Sequence, residues 1–204
     1  AMRLAEERNL PVEITGIIPI VENSLGSGAV LPGTVLTAYG GKTVQIVNTD
    51  AEGRLLMAEA IALADKKFRG DALITVATLS DMKDLGPDFL NVWVTNKNLE
   101  NKVRSAEKLS SEKMILFPPI EHFKHVDELH MGRYSDLVND ISGDGKAGCY
   151  YTAPVIFMYN FFCWEPVNWV FLDISAVFSD DAPEYGAGPG FGFKFLWYLL
   201  EQFA

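Results

Sequence analysis

The chain has 204 residues, 49% of them hydrophobic, with a formal net charge of -10 at pH 7. It is long enough to bury one proper core, and its acidity argues against nucleic acid or an anionic membrane as partner. Cys149 and Cys163 are too few for a disulfide framework, so a reducing compartment is expected, the cytoplasm first and an organelle as the alternative. No signal peptide or uninterrupted membrane-length apolar run is present.

In chain order, Ala1 to Arg8 is helical in composition but has no N-cap or lead-in, so it reads as the second half of a helix. Val12 to Val21 alternates and is β-branched, which predicts a strand. Asn23 to Gly33 is a Gly/Ser/Pro loop. Val35 to Tyr39 and Thr43 to Val47, joined through Gly40-Gly41, predict a hairpin. A helix follows from Leu55 to Lys67, with Leu55, Ala58, Ile61, Ala62 and Asp65 at helical spacing and Gly70 as its stop.

Ala72 to Leu79 is a continuous apolar run, the pattern of a buried parallel strand. Asn98 to Leu109 is charge-rich and reads as an exposed helix; Met114 to Phe117 reads as a short strand closed by Pro118-Pro119. Cys149 to Trp164 is apolar but too short to span a membrane and is interrupted by Pro154 and Asn160, so a buried helix from Thr152 is expected. A buried strand, Trp169 to Ile174, and a last helix, Phe193 to Gln202, with Phe195, Leu196, Leu199, Leu200 and Phe203 on its apolar side, complete the chain. Strands alternating with helices give an α/β fold with a mixed, largely parallel sheet flanked by helices, read as one domain over residues 1–204. No internal repeat or low-complexity linker is seen.

The stretch with the most chemistry is Asn48-Thr49-Asp50-Ala51-Glu52-Gly53-Arg54-Leu55, where a strand hands over to a helix. Ligands in open α/β sheets bind outside the carboxyl ends of strands. Side chains two apart in a tight, non-helical turn can point the same way, so Asp50 and Glu52 can reach one cation or a pair. Gly53 allows close backbone approach, and Arg54 offers a fork of donors to a carboxylate or bicarbonate-like anion. The plainer alternative is an Asp N-cap with Glu in the first helical turn.

The same string resembles the signature of the leucyl aminopeptidase family of two-metal exopeptidases. Ile17 to Asn23, Leu31-Pro32-Gly33-Thr34-Val35, Gly41-Lys42-Thr43-Val44, Ala77-Thr78-Leu79-Ser80, Leu172-Asp173-Ile174-Ser175 and Gly190-Phe191-Gly192 resemble further segments of that family, in its order. The resemblance implies that Asp50 binds one metal, zinc or manganese, that Glu52 bridges two, and that Arg54 holds a bicarbonate acting as general base. It places Thr78 and Leu79 beside substrate and anion, and Asp81, Ser175 and Phe178 in the pocket for the first side chain of a peptide. Asp81 stands where the family has glycine, which would make that pocket smaller and acidic; Phe178 would fill it further. Hexameric assembly is also implied.

The family's remaining ligands, a lysine and two aspartates, and its second, catalytic lysine cannot be assigned in this sequence. The expectation is therefore an N-terminally incomplete catalytic domain: part of a longer chain, one piece of a split protein, or a subunit that has lost half its site. Two functions follow, a metal-dependent removal of N-terminal residues from peptides, or a degenerate homologue kept as a structural subunit. The chain alone is expected to be inactive, because two side-chain ligands cannot hold two metals.

Other candidates read as structural. Asn139 to Cys149 reads as a solvated loop, and Asp180-Asp181 with Glu184 as an acidic one. His122, His125 and His130 with Glu121 fit neither an HExxH helix nor a finger and are expected on a surface helix. The glycines from Gly186 to Gly192 miss dinucleotide spacing, and both cysteines are expected to be small buried hydrophobes.

Overall fold

The computed structural model describes residues 1–80, 89–141, 151–165, 167–175 and 190–204. The chain divides into two compact units: residues 1–16, 74–119 and 168–204 form one, and residues 17–73 and 120–167 the other. The fold is mixed α/β, with sheets flanked by helices.

In the first unit the sheet order is β3 (Leu73–Ala77), β7 (Trp169–Asp173), β4 (Phe89–Val94), β5 (Lys113–Leu116). β4 runs parallel to β5 and antiparallel to β7, with Asn91 opposite Asp173 and Trp93 opposite Phe171. Every residue of β7 is buried, as its continuous apolar run requires. Trp93 stacks on Phe117 with ring centroids 4.1 Å apart, and the Trp169 indole N–H donates to Thr75 Oγ1 at 2.9 Å. β3 is half-buried rather than fully buried: it ends the sheet order, and Val76 is 42% exposed.

Helix α1 (Met2–Glu7) opens this unit and buries Ala5. α3 (Lys97–Ser110) starts at an N-cap, Asn96, whose side chain accepts from Leu99 N. It is not exposed all round. Leu99, Val103, Ala106 and Ser110 form a buried stripe at helical spacing, packed against α6 (Phe193–Glu201). Gly192, at the start of α6, has φ +86, and an added Cβ would lie 3.2 Å from Leu90 Cδ2, so glycine suits the site twice over. The Glu112 carboxylate caps this helix, accepting from Gly192 N and Phe195 N.

The second unit carries the sheet β1 (Val35–Thr37), β2 (Thr43–Gln45), β6 (Leu137–Val138). The expected hairpin is present: β1 and β2 pair antiparallel, while β2 and β6 are parallel. α2 (Glu52–Lys67) packs on α5 (Ala153–Tyr159). α5 is buried from Ala153 to Met158, matching the expected buried helix.

Several expectations are corrected. Residues 12–21 form no strand among the described residues; alternation favours extended backbone, but a strand also needs a neighbour's N–H and C=O groups. Helix α2 begins three residues earlier than its apolar spacing suggested; it ends at Lys67, and the positive φ beyond it, 48°, falls on Arg69, one residue before Gly70. The histidines lie not on one surface helix but on three short elements: His122 and His130 sit in 3-10 turns, and His125 sits in the four-residue helix α4 (Lys124–Asp127). His122 and His125 are exposed, whereas His130 is fully buried. Cys163 is exposed, because its turn is held at the surface by Asp65, which accepts from Cys163 N at 2.6 Å. Cys149, Asp180, Asp181 and Glu184 lie outside the described residues.

Candidate active site

After β2 the backbone stays extended through buried Ile46 and turns at Asn48. Residues Thr49–Ala51 make one 3-10 turn, and α2 follows without a break. The cap is Asn48 rather than Asp50: its side chain accepts from Asp50 N at 3.0 Å. That releases the Asp50 carboxylate from capping. Ala51, between the two acids, is buried, while Asp50 and Glu52 are exposed, and among the described residues neither carboxylate has a bonding partner. Glu52 in the first turn of a 16-residue helix is also favoured by the helix dipole.

The turn is gripped by residues expected to lie in a solvated loop. Asn139, wholly buried, accepts through Oδ1 from Val47 N (2.9 Å) and Asn48 N (3.3 Å), and donates through Nδ2 to Asn48 O (2.6 Å) and Ala51 O (3.5 Å). Asp140 accepts from Asn48 Nδ2 at 2.8 Å and from Arg54 Nη1 at 3.3 Å; Arg54 Nη1 also donates to Asn139 O at 3.0 Å. The side chains of Arg54 and Asp140 are 13% and 8% exposed. The loop expectation failed here because β6 delivers Asn139 and Asp140 beside β2, so these polar groups answer backbone and guanidinium donors instead of water. Residues 142–150 lie outside the described residues. Nearby, Asp136 accepts from Thr43 N (2.7 Å) and Thr43 Oγ1 (2.8 Å), and these bonds hold its carboxyl below the usual carboxylate range.

The first unit holds the other candidates. Asp173, at the end of β7 and fully buried, accepts from Leu79 N (3.2 Å), Ser80 N (3.0 Å), Ser80 Oγ (2.5 Å) and Ser175 N (2.9 Å). One carboxylate thus ties Leu79, which is half-buried, to Ser175, which is buried; Thr78, beside them, is exposed. Asp81 and Phe178 lie outside the described residues. Asn139, Asp140 and Asp173 were not singled out from the sequence as site residues. An Asn-Asp pair straight after a strand, and an Asp closing an apolar run, were the signals available.

The described donors fit a two-metal centre only in part. Asp50 and Glu52 present hard oxygen donors on one open turn, but no group of three or more His, Cys, Asp or Glu that could hold a metal occurs among the described residues. The histidines do not complete it: the two ring nitrogens of His130 lie 3.2 Å from Val138 O and 3.1 Å from Ala153 O, both engaged within the fold. No described helix is long and apolar enough to cross a membrane.

A strand-to-helix turn with two exposed carboxylates, set in an α/β fold, is the class of site that comparison with known proteins narrows. The catalytic domain of the cytosol aminopeptidase family matches residues 1–197. The chain belongs to this family. It is 34% identical over 202 residues to a probable cytosol aminopeptidase of Rickettsia bellii and 30% identical over 207 residues to one of Phytoplasma australiense, with 96% and 99% of this chain covered. The chain spans only 38% and 41% of those two proteins. Among solved structures, a tomato leucine aminopeptidase mutant superposes with a TM-score of 0.74 at 31% identity, covering 89% of this chain and 34% of its own. A bottromycin maturation enzyme in complex with Mn gives 0.74 at 25% identity, covering 87% of this chain and 39% of its own.

Proposed function

We propose that this chain contributes the Asp50–Glu52 turn to a metal-dependent aminopeptidase that removes N-terminal residues from peptides. The observation that carries this reading is the state of the turn itself. Asn48 and Asn139 do the capping and bracing, which leaves both carboxylates exposed and unbonded by the described residues. Two like charges held near one another with no described counter-ion raise the cost of an empty turn and favour a cation. Family membership and the manganese bound by one structural neighbour support a divalent ion, zinc or manganese. Asp50 and Glu52 would supply oxygen ligands, and the metals, when bound, would supply Lewis acidity.

The described donors are an incomplete set; the remaining ligands would be supplied from outside the 204 residues, and this chain alone would then be inactive. Leu79 and Ser175, positioned by Asp173, belong to the substrate side with Thr78, Asp81 and Phe178. Assembly into a hexamer, a cytoplasmic setting and peptide substrates complete the proposal. The test is leucine release from a short peptide, with manganese or zinc supplied, by the native protein and by the isolated 204-residue chain. Metal-dependent release by the native protein only is expected; release by the isolated chain would refute its inactivity.

One observation favours a second reading, a catalytically degenerate structural subunit. Arg54, the residue expected to hold a bicarbonate, is engaged by the chain's own Asp140. Native protein without peptidase activity under any divalent metal would select this reading.

A further inference from the structure

We propose that Asp140 is a built-in anion for Arg54, so that in this chain the guanidinium at the signature turn is answered by a carboxylate of the same polypeptide and recruits no free bicarbonate-type anion. The inference rests on the reading of Arg54 as the turn's anion-binding residue, but not on peptidase activity.

Three observations converge. The Asp140 carboxylate faces the guanidinium, with Arg54 Nη1 donating to Oδ1 at 3.3 Å and to the adjacent Asn139 carbonyl at 3.0 Å. The carboxylate is oriented independently of Arg54: Asn48 Nδ2 donates to its Oδ2 at 2.8 Å and Ile141 N to its Oδ1 at 2.9 Å. Both side chains are mostly withdrawn from water, so the charge–charge attraction is weakly screened by salt. An anion fixed in this way competes intramolecularly, at an effective concentration of at least the order of millimolar, before its orientation is counted. A dissolved bicarbonate taking Arg54 Nη1 would have to displace it and part a buried carboxylate from its guanidinium.

The pair also has a positioning role. Asn139 braces the turn, and Asp140 fastens the segment after β6 to Asn48 on one side and to α2, through Arg54, on the other. Arg54 and Asp140 are therefore positioning residues that hold the turn carrying Asp50 and Glu52.

The test is thermal unfolding of the native protein in bicarbonate or formate, against chloride at equal ionic strength, for wild type, Asp140→Ala and the double variant Asp140→Ala/Arg54→Ala. Wild type is expected to show no saturable anion-specific shift. Asp140→Ala is expected to lose about 5 °C or more in Tm and to regain part of it saturably as formate or bicarbonate fills the vacated space; the double variant is expected to gain nothing. An Asp140→Ala protein with wild-type Tm, or one that neither anion rescues, would overturn the proposal. Should Asp140→Ala not fold, calorimetric titration of wild type with bicarbonate decides: no binding in the millimolar range supports the built-in anion, and binding that Arg54→Lys abolishes refutes it. Because no readout involves peptide hydrolysis, a catalytically dead protein would leave this outcome unaffected.

Discussion

Asn139 holds Asn48 from both sides, its Oδ1 accepting from Asn48 N at 3.3 Å and its Nδ2 donating to Asn48 O at 2.6 Å. Asn48 in turn caps the 3-10 turn through Asp50 N. A buried amide 91 residues away in sequence thus sets the backbone on which both acidic residues stand. Replacing Asn139 by Ala removes the acceptor for two backbone N–H groups and the donor to two carbonyls, leaving buried groups unsatisfied. A loss of about 2–3 kcal/mol is expected from urea unfolding. A change within about 0.5 kcal/mol, the range of neutral surface substitutions, would show that the turn is held by other contacts.

The Asp173 carboxylate plays the corresponding part at the end of β7. Asp173→Asn turns an acceptor-only group into one that presents N–H toward Leu79 N, Ser80 N or Ser175 N. A destabilisation of about 2–4 kcal/mol is expected, and about 1 kcal/mol for Ser80→Ala. Since Ser80 Oγ donates to the same carboxylate, the two substitutions should couple by about 0.5 kcal/mol or more in a double-mutant cycle. Strict additivity would mean that Ser80 and Asp173 do not act together.

The Asp136 carboxyl has a lowered pKa, first through the Thr43 backbone N–H and then through the Thr43 hydroxyl. A carboxyl whose folded value is depressed stabilises the fold above its unfolded value, and that contribution disappears as pH falls through the folded value. Wild type should therefore lose stability more steeply than Asp136→Asn below about pH 4. Parallel curves of Tm against pH for the two proteins would show that the Thr43 bonds do not favour the ionised form.

Much of the fold was legible because local patterns and packing agree. The hairpin at Gly40-Gly41, the helix ending in Lys66-Lys67, buried α5 and buried β7 each carry their own periodicity or composition. Where pairing decides, the sequence misled: residues 12–21 alternate like a strand yet find no partner among the described residues. β4, whose Trp93 and Asn91 lie opposite β7, was not read as an element at all. The site divides in the same way. Asp50, Glu52 and Arg54 sit in one contiguous string, while Asn139, Asp140 and Asp173 also bond residues 85 or more positions away, and no local pattern encodes those contacts. His130 shows the converse. Its spacing placed it with exposed neighbours, but burial and two carbonyl contacts withdraw it from the surface.

The central claim is that the Asp50–Glu52 turn binds metal once the rest of the site is supplied. The direct measurement is divalent metal content per subunit of the native protein after desalting, for wild type and for the double variant Asp50→Asn/Glu52→Gln. The account predicts about two zinc or manganese ions per wild-type subunit and a marked loss in the variant while the assembly stays intact. An intact wild-type assembly with no bound metal would contradict it and leave the turn a structural relic.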